Sequence, residues 1–252
     1  MAIEQTPTER LAWECVYQAW EAGSQEEANG FFQDALRLDP DNVEARLWAA
    51  RSVGERDETK ALSMLRDTVT LAERQIGPEA FEELRGEFWG FVETRPYMRA
   101  RVELARLLVD LCEEQEAIGH FQELLELNPD DNQGLRYELL PLFLFLRRAA
   151  DARALLSRYP DEASAFFAWG RVLERYQAAG PEAAAAALPA ARSENGLAED
   201  YLSERLEIPT ELPGYYSPGD ENEAILCAEL FGLAWLATPG AIEWLRSVGP
   251  RP

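Results

Sequence analysis

The sequence predicts an all-α protein, built as a right-handed solenoid of helical hairpins that ends in a helical cap. Apolar residues recur at three- and four-residue spacing through nearly every segment, and no segment sustains the two-residue alternation of a strand. Two stretches of the chain also repeat the same order of small, aromatic and proline residues. Repeated units of this kind pack mainly against their neighbours, which is why we predict a solenoid.

The first predicted hairpin begins at Thr6-Pro7, where Thr6 caps a helix and Pro7 lies in its first turn. Gly23 ends this helix. Ser24 and Glu27 then form a capping box for the next helix, which stops at the proline that follows it. We therefore expect two consecutive helices in this first segment.

Residues 9–42 resemble a tetratricopeptide repeat. The matching positions are the turn glycine, the small residue where the helices cross, an aromatic residue, a further small residue and the terminating proline: Gly23, Ala28, Phe32, Ala35 and Pro40. A similar order returns within residues 98–131, at Ala105, Ala117, Phe121, Leu124 and Pro129. The resemblance to tetratricopeptide repeat proteins implies stacked hairpins with a concave groove.

The remaining repeats are less regular. Residues 43–71 form a degraded unit, and residues 78–92 are expected to add one helix. Helix pairs are predicted over 131–158, where a proline kinks the first helix, and over 162–193, where a Gly-Pro pair makes the turn. We assign residues 1–194 to the tetratricopeptide-like array.

Residues 195–252 are predicted to form a proline-containing loop and the C-terminal helical cap. The loop contains three prolines, and Asp220 with Glu223 forms an acidic capping box for the helix that follows. From Leu155 onward the chain resembles the suppressor of tumorigenicity seven family and its bacterial relatives. This resemblance rests on the spaced prolines and on three short motifs: Tyr201-Leu202, Gly219-Asp220 and Glu223-Ala224. It implies helical repeats with such a cap, and no catalytic residue.

The charge balance limits the partners that this protein can have. The formal net charge is −22, from 46 acidic and 24 basic residues. Nucleic acid is excluded as a partner, because phosphate binding requires many lysine and arginine contacts and a negative field repels it. A basic protein suits this charge, although the acidity can equally serve solubility alone.

The sequence also indicates where the chain resides. Its longest apolar run, Leu139–Leu146, is far shorter than the roughly 20 residues that a membrane helix needs, and the start does not resemble a signal peptide. We therefore expect a cytoplasmic protein with no membrane partner. Cys15, Cys112 and Cys227 are far apart within apolar helical patterns, so we expect three buried free thiols and no metal site.

Motifs of catalysis are absent from the sequence. It contains no phosphate-binding loop, no dinucleotide fingerprint and no zinc-protease motif. His120 is the single histidine, and without a serine or cysteine in a recognisable arrangement we assign it a structural or surface role. The sequence thus predicts a protein that is not an enzyme and binds no cofactor.

Arginines crowd at the start of the second matching repeat. Positions that line the groove of tetratricopeptide proteins fall here on a mixed set: Arg99, Val102, Arg106, Val109 and Asp110, then Gln133, Arg136, Leu140, Phe143 and Leu144. Arg95 shares one helical face with Arg99 and Arg106. This basic island could hold an acidic or C-terminal carboxylate group by bidentate contacts. It resembles the carboxylate clamp of chaperone-binding tetratricopeptide domains.

Two interpretations stay open for these residues. The arginines either recognise a ligand or pair with Glu87, Glu93 or Glu103, or stack on Trp89, to hold the irregular helix before them. Trp13, Tyr17 and Trp20 similarly either anchor a peptide or lie beneath a neighbouring helix. The function predicted first is a scaffold or adaptor that binds a protein or peptide in its groove. The alternative is an acidic protein that sequesters, inhibits or chaperones a basic partner.

Overall fold

The prediction of an all-helical protein is confirmed. The computed structural model describes residues 6–248, which form fifteen α-helices and two short 3-10 helices, with no β-strand in that range. The chain divides into two compact units, Met1–Asn132 and Gln133–Pro252. This division lies inside the region that the sequence assigned to one repeat array.

The first unit consists of successive helix pairs. Its helices are α1 (Pro7–Glu21), α2 (Gln25–Leu38), α3 (Val43–Gly54), α4 (Glu58–Ile76), α5 (Pro78–Glu83), α6 (Arg95–Asp110) and α7 (Glu114–Leu127). Three pairs pack most extensively, namely α1 with α2, α3 with α4 and α6 with α7. Helix α6 also packs against α3 and α4, so residues distant in sequence share one surface.

Side chains cap the first helices much as predicted. The Thr6 hydroxyl accepts a hydrogen bond from the Glu9 backbone N–H, while the Glu9 carboxylate accepts from the Thr6 N–H at 2.6 Å. Ser24 likewise accepts from the Glu27 N–H at 3.2 Å, but the Glu27 carboxylate accepts from Gly23 and not from Ser24. One of the orphan N–H groups at each of these helix starts therefore has a side-chain acceptor.

The segment between α5 and α6 corrects the prediction of one helix over residues 78–92. Helix α5 ends at Glu83, and 3-10 helices follow at Phe88–Gly90 and Val92–Thr94. Gly86 has φ +92°, a conformation that ends regular helix and that glycine adopts without strain. The Thr94 hydroxyl donates to the Phe91 carbonyl at 2.9 Å, which fixes the compact turn before α6.

The second unit is more interrupted than predicted. Its helices are α8 (Arg136–Phe145), α9 (Ala149–Arg158), α10 (Ala165–Ala179), α11 (Pro181–Ala185), α12 (Leu188–Asn195), α13 (Ala198–Leu202), α14 (Glu221–Leu236) and α15 (Ala241–Ser247). Gly180 makes the expected turn with φ +84°. The helix expected to follow it is split into α11 and α12, because Pro189 favours the first turn of a new helix.

A buried polar cluster joins three helix ends of this unit. The Glu223 carboxylate, 1% exposed, accepts hydrogen bonds from the backbone N–H groups of Ala165 at 3.1 Å and Gly219 at 2.7 Å. It also accepts from the side-chain amide of Asn195 at 2.9 Å. The Trp169 indole donates to the Asn195 carbonyl at 2.9 Å. These bonds connect the start of α10, the end of α12 and the start of α14.

No single helix within residues 6–248 is long and apolar enough to cross a membrane. Helices α14 and α15 satisfy the length and composition criteria only when taken together, and they are bent by 119° relative to each other. Half of the residues of α14 are buried within the protein, including Cys227, Phe231 and Trp235.

Candidate functional site

Three aromatic side chains of α1 form a partly exposed patch on the first unit. Trp13, Tyr17 and Trp20 are spaced by four and three residues, which places them on one helical face. The ring centroids of Trp13 and Tyr17 are 6.0 Å apart, and those of Tyr17 and Trp20 are 5.4 Å apart in an edge-to-face arrangement. Tyr17 and Trp20 are each 50% exposed. We call these three residues the aromatic patch.

The adjacent face of α1 explains why the patch remains accessible. Ala12, Val16 and Ala19 recur at the same helical spacing and are buried against α2 and its neighbours. Small side chains at these positions let α1 pack closely, and Trp13 contributes its inner edge to the same core. No helix within residues 6–248 buries Tyr17 and Trp20, so the interpretation that places them beneath a neighbouring helix is wrong for these two residues.

Arg99 connects the aromatic patch to α3 and α6. Its guanidinium carbon lies 5.6 Å from the centre of the Trp20 ring. Its Nε donates to Oε1 of Glu44 at 2.7 Å, and Nη2 donates to the same oxygen. The Glu44 side chain is only 5% exposed, whereas Arg99 is 32% exposed. Arg99 therefore neutralises a buried carboxylate and presents part of its own charge to solvent beside Trp20.

A second ion pair lies on the same side of α3 and α6. Arg51 approaches Glu103 at 2.7 Å, and Arg106 approaches the same carboxylate at 3.4 Å. Burial alone would raise the pKa of Glu103, but the hydrogen bonds and positive charges of the two arginines outweigh it and lower that pKa. We refer to the aromatic patch with Glu44, Arg51, Arg99, Glu103 and Arg106 as the α1–α3–α6 surface.

Arg95 and Arg136 have internal contacts of their own. Arg95 donates from Nε to the Trp89 carbonyl at 3.0 Å and stacks on the Trp89 ring at 5.2 Å, as one of the two interpretations expected. In the second unit, Arg136 pairs with Glu162 at 3.0 Å and lies over the rings of Tyr137 and Tyr159. Both guanidinium groups thus stabilise their own surroundings.

Several predicted groove positions are interior positions. Val102, Leu140, Phe143 and Leu144 are at most 3% exposed, so they cannot line an open groove. Gln133 is half-buried, and its Oε1 has no hydrogen-bond partner within residues 6–248. Repeat positions assume regular packing of the hairpins, so they mispredict exposure wherever the helices pack differently, as at Val102 in the first unit and at the three other positions in the second.

His120 and the cysteines offer little chemistry. The Arg101 Nε donates to Nδ1 of His120 at 3.1 Å, and Nε2 of His120 lies 3.7 Å from Glu116, which agrees with a structural role.

The three cysteines, Cys15, Cys112 and Cys227, are free thiols, but Cys112 is exposed, which corrects the expectation that all three are buried. It lies in the turn after α6 with φ +60°. No group of three metal-ligating side chains occurs within residues 6–248.

Comparisons with known proteins leave the family open. No protein-family model matches the chain, and no curated protein matches it significantly.

Proposed function

We propose that this protein is a non-enzymatic scaffold that binds a protein segment on the α1–α3–α6 surface. In this proposal the helix pairs belong to a right-handed, tetratricopeptide-like solenoid, the binding surface is its concave groove, and the protein acts in the cytoplasm. The observation that carries the proposal is a contact between two half-exposed aromatic rings, Tyr17 and Trp20, of which Trp20 also lies against the guanidinium group of Arg99. Tyrosine, tryptophan and arginine are the residues most enriched among those that dominate binding at protein interfaces.

The aromatic patch supplies a substantial driving force for binding. A large aromatic side chain buries about 150–250 Å² when fully covered, so covering the exposed half of Trp20 removes about 100 Å² from water. At about 25 cal/mol per Å², this burial contributes roughly 2.5 kcal/mol. Tyr17 adds a similar amount, which suits an apolar or aromatic anchor residue on the partner.

Arg99 favours a partner that carries a carboxylate. Glu44 engages Nε and Nη2 of Arg99, and Nη1 has no hydrogen-bond partner within residues 6–248. A guanidinium can donate five hydrogen bonds, so a second carboxylate can bind from the solvent side. We therefore favour an acidic side chain or a C-terminal carboxylate, next to an apolar residue that covers Trp20.

Sequestration of a basic partner is the second candidate function, and the net charge of −22 is the observation that favours it. Binding that depends on the overall field weakens steadily as salt shortens the Debye length, from about 30 Å at 0.01 M to about 3 Å at 1 M. Binding that depends on aromatic burial retains most of its strength over the same range of salt.

A peptide display library with free C termini tests the first candidate directly. We expect selected peptides to bind the wild-type protein and to lose at least tenfold in affinity for Trp20→Ala and Tyr17→Ala. Tyr215→Ala is the matched control, because Tyr215 is 79% exposed and lies in the second unit. Peptides that bind the Trp20 and Tyr17 variants as well as wild type would refute this site. If the selected peptides are instead rich in lysine, and their affinity falls as the salt concentration rises, the sequestering function is favoured.

A further inference from the structure

A cleft in the second unit is separate from every residue discussed as a binding position in the first. It has a volume of about 270 Å³ and lies between α10 and the α11–α12 segment. Its walls combine four alanines with two arginines and two glutamates: Ala168, Ala186, Ala187, Ala190, Arg171, Arg175, Glu162 and Glu194.

Arg171 and Arg175 are unusual among the half-buried arginines of this unit. Neither makes a hydrogen bond or an ion pair with any residue between 6 and 248. Elsewhere in the unit a guanidinium group binds a buried carboxylate, as Arg192 does with Glu199 at 2.6 Å and Arg153 with Glu174 at 2.6 Å. In a chain with a net charge of −22, acidic side chains are abundant, yet none within residues 6–248 forms an ion pair with these two, although Glu162 and Glu194 line the same cleft.

This arrangement costs free energy unless something compensates it. Arg171 and Arg175 are four residues apart on α10, so their like charges face the same side of the helix and repel each other. Partial burial also removes water from both guanidinium groups. The negative end of the helix dipole acts mainly on the last turn of α10, and neither arginine lies in that turn.

The glutamates of the cleft do not provide that compensation. Glu162 is bound to Arg136 at 3.0 Å, so its charge is already neutralised by another residue. Glu194 is exposed and makes no ion pair with either arginine. The four alanines add only methyl groups to the walls of the cleft.

We propose that this cleft binds a small organic anion whose carboxylate or phosphate group bridges Arg171 and Arg175. The guanidinium groups present several donors in fixed planes, which suits two oxygens of one anionic group or two linked carboxylates. The alanines accommodate a short apolar part of the ligand. The volume is below the roughly 300–1,000 Å³ of sites for drug-sized molecules, so the ligand is a small metabolite and not a nucleotide.

Succinate and inorganic phosphate are suitable probes, and they distinguish the two kinds of head group. Titration calorimetry at constant ionic strength should show one site for at least one of them on the wild-type protein. Arg171→Gln and Arg175→Gln should each weaken binding of that probe at least about tenfold, because a charge-assisted contact is lost. Without the probe, the double variant should unfold at a temperature no lower than wild type, since repulsion between the arginines is removed.

Two further variants make the test independent of that double variant. Ala190→Glu, at an exposed position of the cleft, should place a carboxylate near the arginines, abolish probe binding and raise the unfolding temperature. Arg56→Gln removes the same charge at an exposed position of the first unit and should bind the probe as wild type does. Failure of wild type to bind either probe would overturn the proposal, as would unchanged binding by Ala190→Glu and the double variant.

Discussion

The guanidinium group of Arg99 on α6 binds the carboxylate of Glu44 on α3, whose side chain is 5% exposed. These residues are 55 positions apart in sequence, so the ion pair joins two different helix pairs of the first unit. A buried carboxylate without its partner is costly, because the charge has lost its water and gained nothing in return. Arg99 therefore has a structural task whatever else it binds.

Arg99→Met should destabilise the protein by about 3 kcal/mol, because Glu44 is left buried and unpaired. Adding Glu44→Leu to that variant should recover most of the loss, since both charges are then removed together. The measurement is urea denaturation followed by circular dichroism. Arg106→Met is the control, because its 47% exposed side chain should contribute less than about 1 kcal/mol. Equal losses for Arg99→Met and Arg106→Met would contradict the structural role of Arg99.

The three cysteines should differ in their reaction with a thiol reagent. Cys112 is exposed and should react first in the native protein, Cys15 is half-buried and should react slowly, and Cys227 should react only after denaturation. Burial raises the pKa of the Cys15 and Cys227 thiols, which lowers the fraction of reactive thiolate. The absorbance of the chromophore that the thiol reagent releases counts the cysteines that react fast, slowly or only after denaturation. Cys112→Ser should remove the fast phase alone, and a fast phase that persists would show that the assignment is wrong.

His120 should titrate below the ordinary histidine pKa of about 6.5. Burial lowers the pKa first, and the positive charge of Arg101 lowers it further. Because the unfolded chain then binds a proton at a higher pH than the folded chain, this group adds stability above about pH 6.5, and that stability is lost as the pH falls through the folded pKa.

Proton NMR follows this titration without assignment, since the sequence contains one histidine. Arg101→Gln should raise the pKa towards its ordinary value, because it removes the nearby charge. Arg56→Gln, at an exposed position in the turn after α3, should leave it unchanged. A His120 pKa at or above about 6.5 in the wild-type protein would contradict the burial of this imidazole beside Arg101.

Local patterns in the sequence predicted the helix ends well. Thr6, Ser24 and Asp220 each cap a helix through the N–H group three residues ahead, so the residues that decide the structure are close together in the chain. The turn at Gly180 was predicted for a similarly local reason, namely the Gly-Pro pair itself. The interruptions near Gly86 and Pro189 were missed, because repeat matching assumes that hairpins continue through such residues.

The candidate site depends on contacts that no local pattern contains. The sequence placed Arg99 on the correct helical face, but its partner Glu44 lies on another helix pair and could not be chosen among 46 acidic residues. Whether an aromatic residue such as Trp20 is covered depends on which helix lies beside it, and that is settled only by packing. Because these contacts depend on packing, only some residues of the α1–α3–α6 surface could be predicted from the sequence.

Glu223 should contribute more to stability than any exposed glutamate of the second unit. Its carboxylate accepts hydrogen bonds from Ala165, Asn195 and Gly219 and is 1% exposed. Glu223→Ala leaves the buried Ala165 N–H without its acceptor, whereas the Asn195 amide still donates to the Asp220 carbonyl at 2.8 Å and Gly219 is exposed. A buried donor without an acceptor costs about 1–3 kcal/mol, so we expect a loss of about that size. Urea denaturation measures it.

Hydrogen exchange tests the role of the Glu223 carboxylate at the level of single amides. The Ala165 and Gly219 amides should be protected in the wild-type protein and exchange much faster in Glu223→Ala, because their acceptor is gone. Glu221→Ala is the matched control: Glu221 is exposed, accepts a hydrogen bond from the Tyr201 hydroxyl at 2.9 Å, and should contribute less than about 1 kcal/mol. If Glu223→Ala is as stable as Glu221→Ala and protects both amides normally, then the polar cluster does not hold α10, α12 and α14 together.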